Sequence, residues 1–178
     1  MSILKYFGLE PPDAAPVAQE TETVRKITEA LDRLEPGPAK YVAAFAYVLS
    51  RVARADLRIS ELETRAMERI VVEHGGLPEE QAIIVVQIAK TQNKLFGATE
   101  DFLVTREFNE LAAPEQKMAL LDCLFAVGAA DQLVSMEEDN EIRKIANELK
   151  LEHRDFIAVR SRYRDYLSVL KKTSGGGS

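Results

Sequence analysis

The chain has 178 residues, 46% of them hydrophobic, and its 23 basic and 29 acidic side chains leave a net charge of −6. That length and apolar content fit one domain with one good core and a short appendage. The acidic balance argues against a sequence-tolerant nucleic-acid binder, which needs a basic face, so no nucleic-acid partner is expected. The single cysteine, Cys123, rules out an internal disulfide and fits a reducing compartment. The longest apolar run, Tyr41 to Leu49, is too short to span a bilayer. The N-terminal stretch "MSILKYFGLEPP" lacks the apolar core and cleavage site of a signal peptide. The expectation is a cytoplasmic protein, in contact with the inner face of a membrane at most peripherally.

Residues 1–17 divide into a short apolar tip, with Ile3, Leu4, Tyr6, Phe7 and Leu9, and a Pro- and Ala-rich linker. Their deletion is expected to leave folding intact. Residues 18–37 hold an accessory helix, in which Val24, Ile27, Leu31 and Leu34 form a stripe at helical spacing, and the breaker "EPGP". The main domain is expected over residues 38–172. A long helix is predicted from about Ala39 to Ala55. Another starts at Ser60 and stops at "HGG", where Gly75 or Gly76 can take a left-handed cap. Pro78 suits the first turn of the next, to about Lys94. Thr99 followed by two acids marks the start of a helix to about Leu111. Pro114 opens one to about Asp131, and Ser135 one to about Leu149. The last is predicted from His153 to Lys171, and "TSGGGS" at 173–178 is a flexible tail. No stretch alternates as a strand. The predicted fold is all-α: a compact bundle of about seven core helices with a loosely attached N-terminal helix.

One phrase is written twice. "ADLRISELE", Ala55 to Glu63, returns as "ADQLVSMEE", Ala130 to Glu138, at an offset of 75 residues. Ser60 with Glu63, and Ser135 with Glu138, have capping-box spacing. Asp56 and Asp131 fall at the end of the preceding helix, where a carboxylate can accept from loop amides. A hydrophobic staple would pair Ile59 and Val134 with the fourth helical residue, but those are Thr64 and Asp139. The two aliphatics are therefore expected in the core. The likeness spreads outward: Leu49 matches Leu124, Val52 matches Val127, Met67 matches Ile142, Ile70 matches Ile145, and Leu77 matches Leu151 after one gap. The chain thus repeats a helix–loop–helix of roughly 35 residues, and two pseudo-symmetric copies are expected to pack about a two-fold axis.

These corners and their flanking helices, about Lys40 to Asp165, resemble the TerB family, named for a bacterial tellurite-resistance protein. "LFAVGAADQLVSMEEDNEIRKIA" is the closest part. The resemblance implies a compact helical bundle, acidic corner residues that bind a divalent metal, and a role in stress response or in membrane-linked complexes. Tellurite resistance itself does not carry over. Where the family's corner often has Gly after the Asp, this chain has Leu57 and Gln132, which removes an easy positive-φ residue.

Asp56, Glu63, Asp131 and Glu138 are all-oxygen donors suited to Ca²⁺, Mg²⁺ or Mn²⁺, and Glu61, Glu137 and Asp139 add negative charge nearby. The pattern is not an EF-hand loop, and capping alone explains S-x-x-E. His74 and His153 flank helix ends without neighbours at zinc-ligand spacing, and His74 suits its helix C-terminus. Cys123, inside "LLDCLFAV", reads as core packing. No phosphate loop, nucleophile motif or HExxH is present, so no catalytic residue is expected. The last helix is rich in cations. Arg160, Arg162 and Arg164 are candidates for docking an acidic partner or an anionic membrane, against the plainer reading of a solvated face. The expected function is a non-enzymatic module that binds protein partners and a divalent cation through paired acidic corners. The alternative is a purely structural or homo-oligomerising bundle whose acids only cap helices, with an enzyme third.

Overall fold

In the computed structural model the described residues are 22–53, 60–91, 101–130 and 133–167. They form eight α-helices: α1 Glu22–Asp32, α2 Pro36–Val52, α3 Glu61–Glu73, α4 Glu79–Thr91, α5 Asp101–Leu111, α6 Pro114–Ala129, α7 Met136–Glu148 and α8 His153–Arg162. No strand occurs among these residues beyond one isolated bridge between Val134 and Leu167. The all-α expectation holds, with predicted helix ends mostly within a turn of those observed.

The long apolar helix α2 is the centre. From Val42 to Leu49 every residue is buried, as expected for a helix apolar on all sides. It packs against α4, α5, α6 and α7, and α3 lies against α4 and α6. Tyr41, Phe45 and Phe108 form an aromatic cluster, with Phe108 and Tyr41 ring centroids 5.3 Å apart. Leu49, Val52 and Leu124 are buried and Val127 packs on their cluster, so the apolar positions shared by the two repeats enter one core.

Two expectations about the ends are corrected. The accessory helix is not loosely attached: Ile27 is 3% and Leu31 0% exposed, and α1 packs on α2 and α4. The last helix stops at Arg162, not near Lys171. Phe156, Val159, Tyr163 and Leu167 keep helical spacing and all are buried, which is why the sequence pattern runs on. The backbone instead tightens into a 3-10 turn, Arg164–Tyr166, and swings Leu167 against Val134. Val134 N–H donates to the Tyr166 carbonyl at 2.7 Å, and burial of Val134 (0%) and Leu167 (1%) offsets the lost helical turns.

The repeat returns as local geometry at both ends of α3 and α7, which have equal lengths of 13 residues. Both begin on the same cap. Both end in a left-handed residue followed by a leucine: Gly76 (φ 70) before Leu77, and Lys150 (φ 57) before Leu151. In α7 this is a Schellman ending, with Lys150 N–H on the Asn147 carbonyl and Leu151 N–H on that of Ala146, each at 3.0 Å. Gly75 is needed for a different reason. A Cβ there would lie 2.5 Å from the Val71 carbonyl oxygen and 2.8 Å from Phe45 Cζ.

Candidate functional site

The acidic corners are built by their serines. Ser60 (φ −67°, ψ 166°) and Ser135 (φ −66°, ψ 163°) share an extended conformation that turns the chain into the helix. The Ser60 amide donates to Glu63 Oε2 at 2.6 Å, and the Glu63 amide donates to Ser60 Oγ at 3.2 Å. At the second corner the distances are 2.8 Å to Glu138 Oε2 and 3.1 Å to Ser135 Oγ. Each cap therefore satisfies two amides, the serine N–H through the glutamate carboxylate and the glutamate N–H through the serine hydroxyl. The bonds from the Ser60 amide and hydroxyl hold the Glu63 carboxyl below its ordinary range, although the side chain is solvent-exposed.

The fourth helical position is polar in both copies, and in both it turns inward. Thr64 is 8% exposed; its hydroxyl donates to the Ser60 carbonyl at 2.9 Å and accepts from Lys90 Nζ at 3.0 Å. Asp139 is 3% exposed and takes two bonds from Arg160, at 2.9 and 2.8 Å. That pairing raises the Arg160 guanidinium above its ordinary value against the opposing effect of desolvation. A buried polar group must find a partner, and each corner recruits a cation from a later helix to supply it.

Asp56, Ile59 and Asp131 lie outside the described residues. Glu63 and Glu138 are the two candidate metal donors that are described. Among the described residues no three or more His, Cys, Asp or Glu side chains come together to hold a metal ion. The described residues alone thus make no ligand set for a divalent cation, whatever the suitability of their oxygens. The basic candidates separate. Arg160 is held inward by Asp139, Arg162 NH1 lies 3.6 Å from Asp122 Oδ1, and Arg164 is exposed on the 3-10 turn.

Two polar clusters had no local signal in the sequence. Arg51, 3% exposed, lies at the end of α2 and ties it to α5 and α7. It donates to Thr105 Oγ1 at 2.7 Å, to Glu148 Oε2 at 2.7 Å and to Glu141 Oε1 at 2.8 Å. Desolvation lowers its pKa, but the bonds to Glu148 and Glu141 win and hold it above the ordinary value. The matched position in the second repeat is Ala126, so the cluster breaks the repeat. The other cluster joins α3, α6 and α8. His74 Nδ1 is 2.7 Å from Asp122 Oδ2, and the Tyr163 hydroxyl donates to Asp122 Oδ1 at 2.8 Å. Burial, then the Asp122 carboxylate, pushes the Tyr163 phenol up. Cys123 beside it is fully buried, and burial pushes its thiol far above the range of a reactive thiolate.

A family model described as "Tellurite resistance protein TerB" matches residues 42–161. The chain belongs to the TerB family. The matched segment runs from within α2 to within α8 and holds both corners, whereas α1 precedes it. No curated protein and no solved structure matches the chain significantly. No helix among the described residues of this TerB-family chain is long and apolar enough to cross a membrane.

Proposed function

We propose that this TerB-family chain is a non-enzymatic module of a stress-response or membrane-linked system. It binds a protein partner and takes a divalent cation at its acidic corners. Asp56 and Asp131 would join Glu63 and Glu138 as ligands, and the all-oxygen donor set suits Ca²⁺, Mg²⁺ or Mn²⁺. The observation that carries the reading is the matched pair of capped corners: each cap fixes a glutamate through Oε2, so the carboxylate is oriented before any ion arrives. The cation would add charge neutralisation and orientation of the corner loops. The decisive experiment is thermal unfolding with and without each ion. An ion at 100 times its dissociation constant should stabilise the fold by about 2.7 kcal/mol.

A second reading has its own support. Glu63 and Glu138 already close caps, and Asp139 is bound by Arg160, so these acids have internal work that needs no ion. On that reading the module is a structural or self-associating bundle, and its unfolding is indifferent to divalent ions.

A further inference from the structure

We draw no further inference here: the strongest candidate, the small apolar patch of Leu133, Met136 and Tyr166 exposed around the Val134–Leu167 bridge, is bordered by charges of both signs, Glu137 and Asp165 beside Arg164, and nothing in the structure shows what covers it.

Discussion

Arg160 closes on Asp139 through two parallel bonds, Nε to Oδ1 at 2.9 Å and NH2 to Oδ2 at 2.8 Å, and so ties α8 to the first turn of α7. Asp139 is 3% exposed, and Arg160 is its cation among the described residues. The substitution Asp139→Ala would leave a largely buried guanidinium without its counter-charge and should cost about 2–3 kcal/mol, somewhat less than a fully buried pair because Arg160 can reach water. Asp139→Asn keeps acceptance at one oxygen and should cost roughly half as much. Urea unfolding monitored by circular dichroism measures both. Equal, negligible costs would mean that the pair contributes nothing to stability.

Two buried glycines should respond to alanine in opposite directions. At Gly128, inside α6, a Cβ would meet Val134 side-chain carbons at 3.5 and 3.6 Å and Glu138 Oε2 at 3.7 Å, all ordinary contacts. Gly128→Ala should therefore stabilise the chain by about 0.5–1 kcal/mol through helix propensity. At Gly75 the nearest atom is a backbone oxygen at 2.5 Å. Gly75→Ala should destabilise by about 1–3 kcal/mol, since the α3 backbone or the Phe45 ring must shift. Denaturation midpoints of the two variants on either side of the parent are the expected outcome.

Lys150 holds a left-handed conformation at φ 57 in the Schellman turn that ends α7. The matched turn after α3 uses Gly76 at φ 70. Lys150→Gly should remove strain that an L-residue meets there and raise stability by about 0.5–1 kcal/mol, net of the extra freedom glycine gains in the unfolded chain. A fall in the thermal midpoint would show that the Lys150 side chain contributes more than its backbone costs.

The sequence carries the helices plainly because their signals are local. Ser60 and Ser135 with their glutamates, Pro114 in a first turn, and Gly76 at a C-terminus each act within a few residues, whereas Pro36 reads as part of a breaker and in fact opens α2. The two caps were legible for the same reason, since both copies write Ser-x-x-Glu into consecutive letters, whereas the left-handed ending at Lys150 has no glycine to announce it. What escaped reading depends on distant partners. Arg51 finds Glu141 and Glu148, and His74 finds Asp122, across 90, 97 and 48 residues of chain. Likewise Arg160 reads as a surface cation until Asp139, 21 residues earlier, is seen to face inward. Periodicity also overran the end of α8, because Tyr163 and Leu167 are buried at helical spacing although the backbone between them leaves the helix.

Glu63 gives a pH prediction with a definite sign. Its carboxyl is held below the ordinary 4.5 by the Ser60 amide and hydroxyl. A depressed carboxyl binds its proton more readily in the unfolded chain, so its contribution is present above about pH 4.5 and is lost as pH falls through the lower folded value. Glu63→Gln keeps the capping geometry but cannot titrate. Thermal midpoints from pH 6 down to pH 3 should fall less steeply for that variant than for the parent. Parallel curves would mean that the Ser60 cap does not discriminate between the two protonation states.

The corners pose the question of cap against ligand, and charge-only substitutions separate the two. Asp131→Asn retains a hydrogen-bond acceptor and removes the negative charge. Glu138→Gln retains an oxygen that can accept from the Ser135 amide, the bond now 2.8 Å long. If the acids only brace the turn, both variants should unfold within about 0.5 kcal/mol of the parent, and millimolar Ca²⁺, Mg²⁺ or Mn²⁺ should move none of the three. If they ligate an ion, the parent should gain stability on its addition and both variants should lose most of that gain, because a neutral amide is a far poorer partner for a hard cation. Glu138→Ala is a poor choice for this purpose, since deleting the cap could by itself cost about 1 kcal/mol. The same substitutions at Asp56 and Glu63 ask whether both copies take part. The second corner should dominate: Glu137 joins Glu138 in its first turn, whereas Asp139, already neutralised by Arg160, adds little to the field there. Calorimetric titration of the parent with each ion, set beside the four variants, distinguishes a two-corner site from one confined to Asp131 and Glu138.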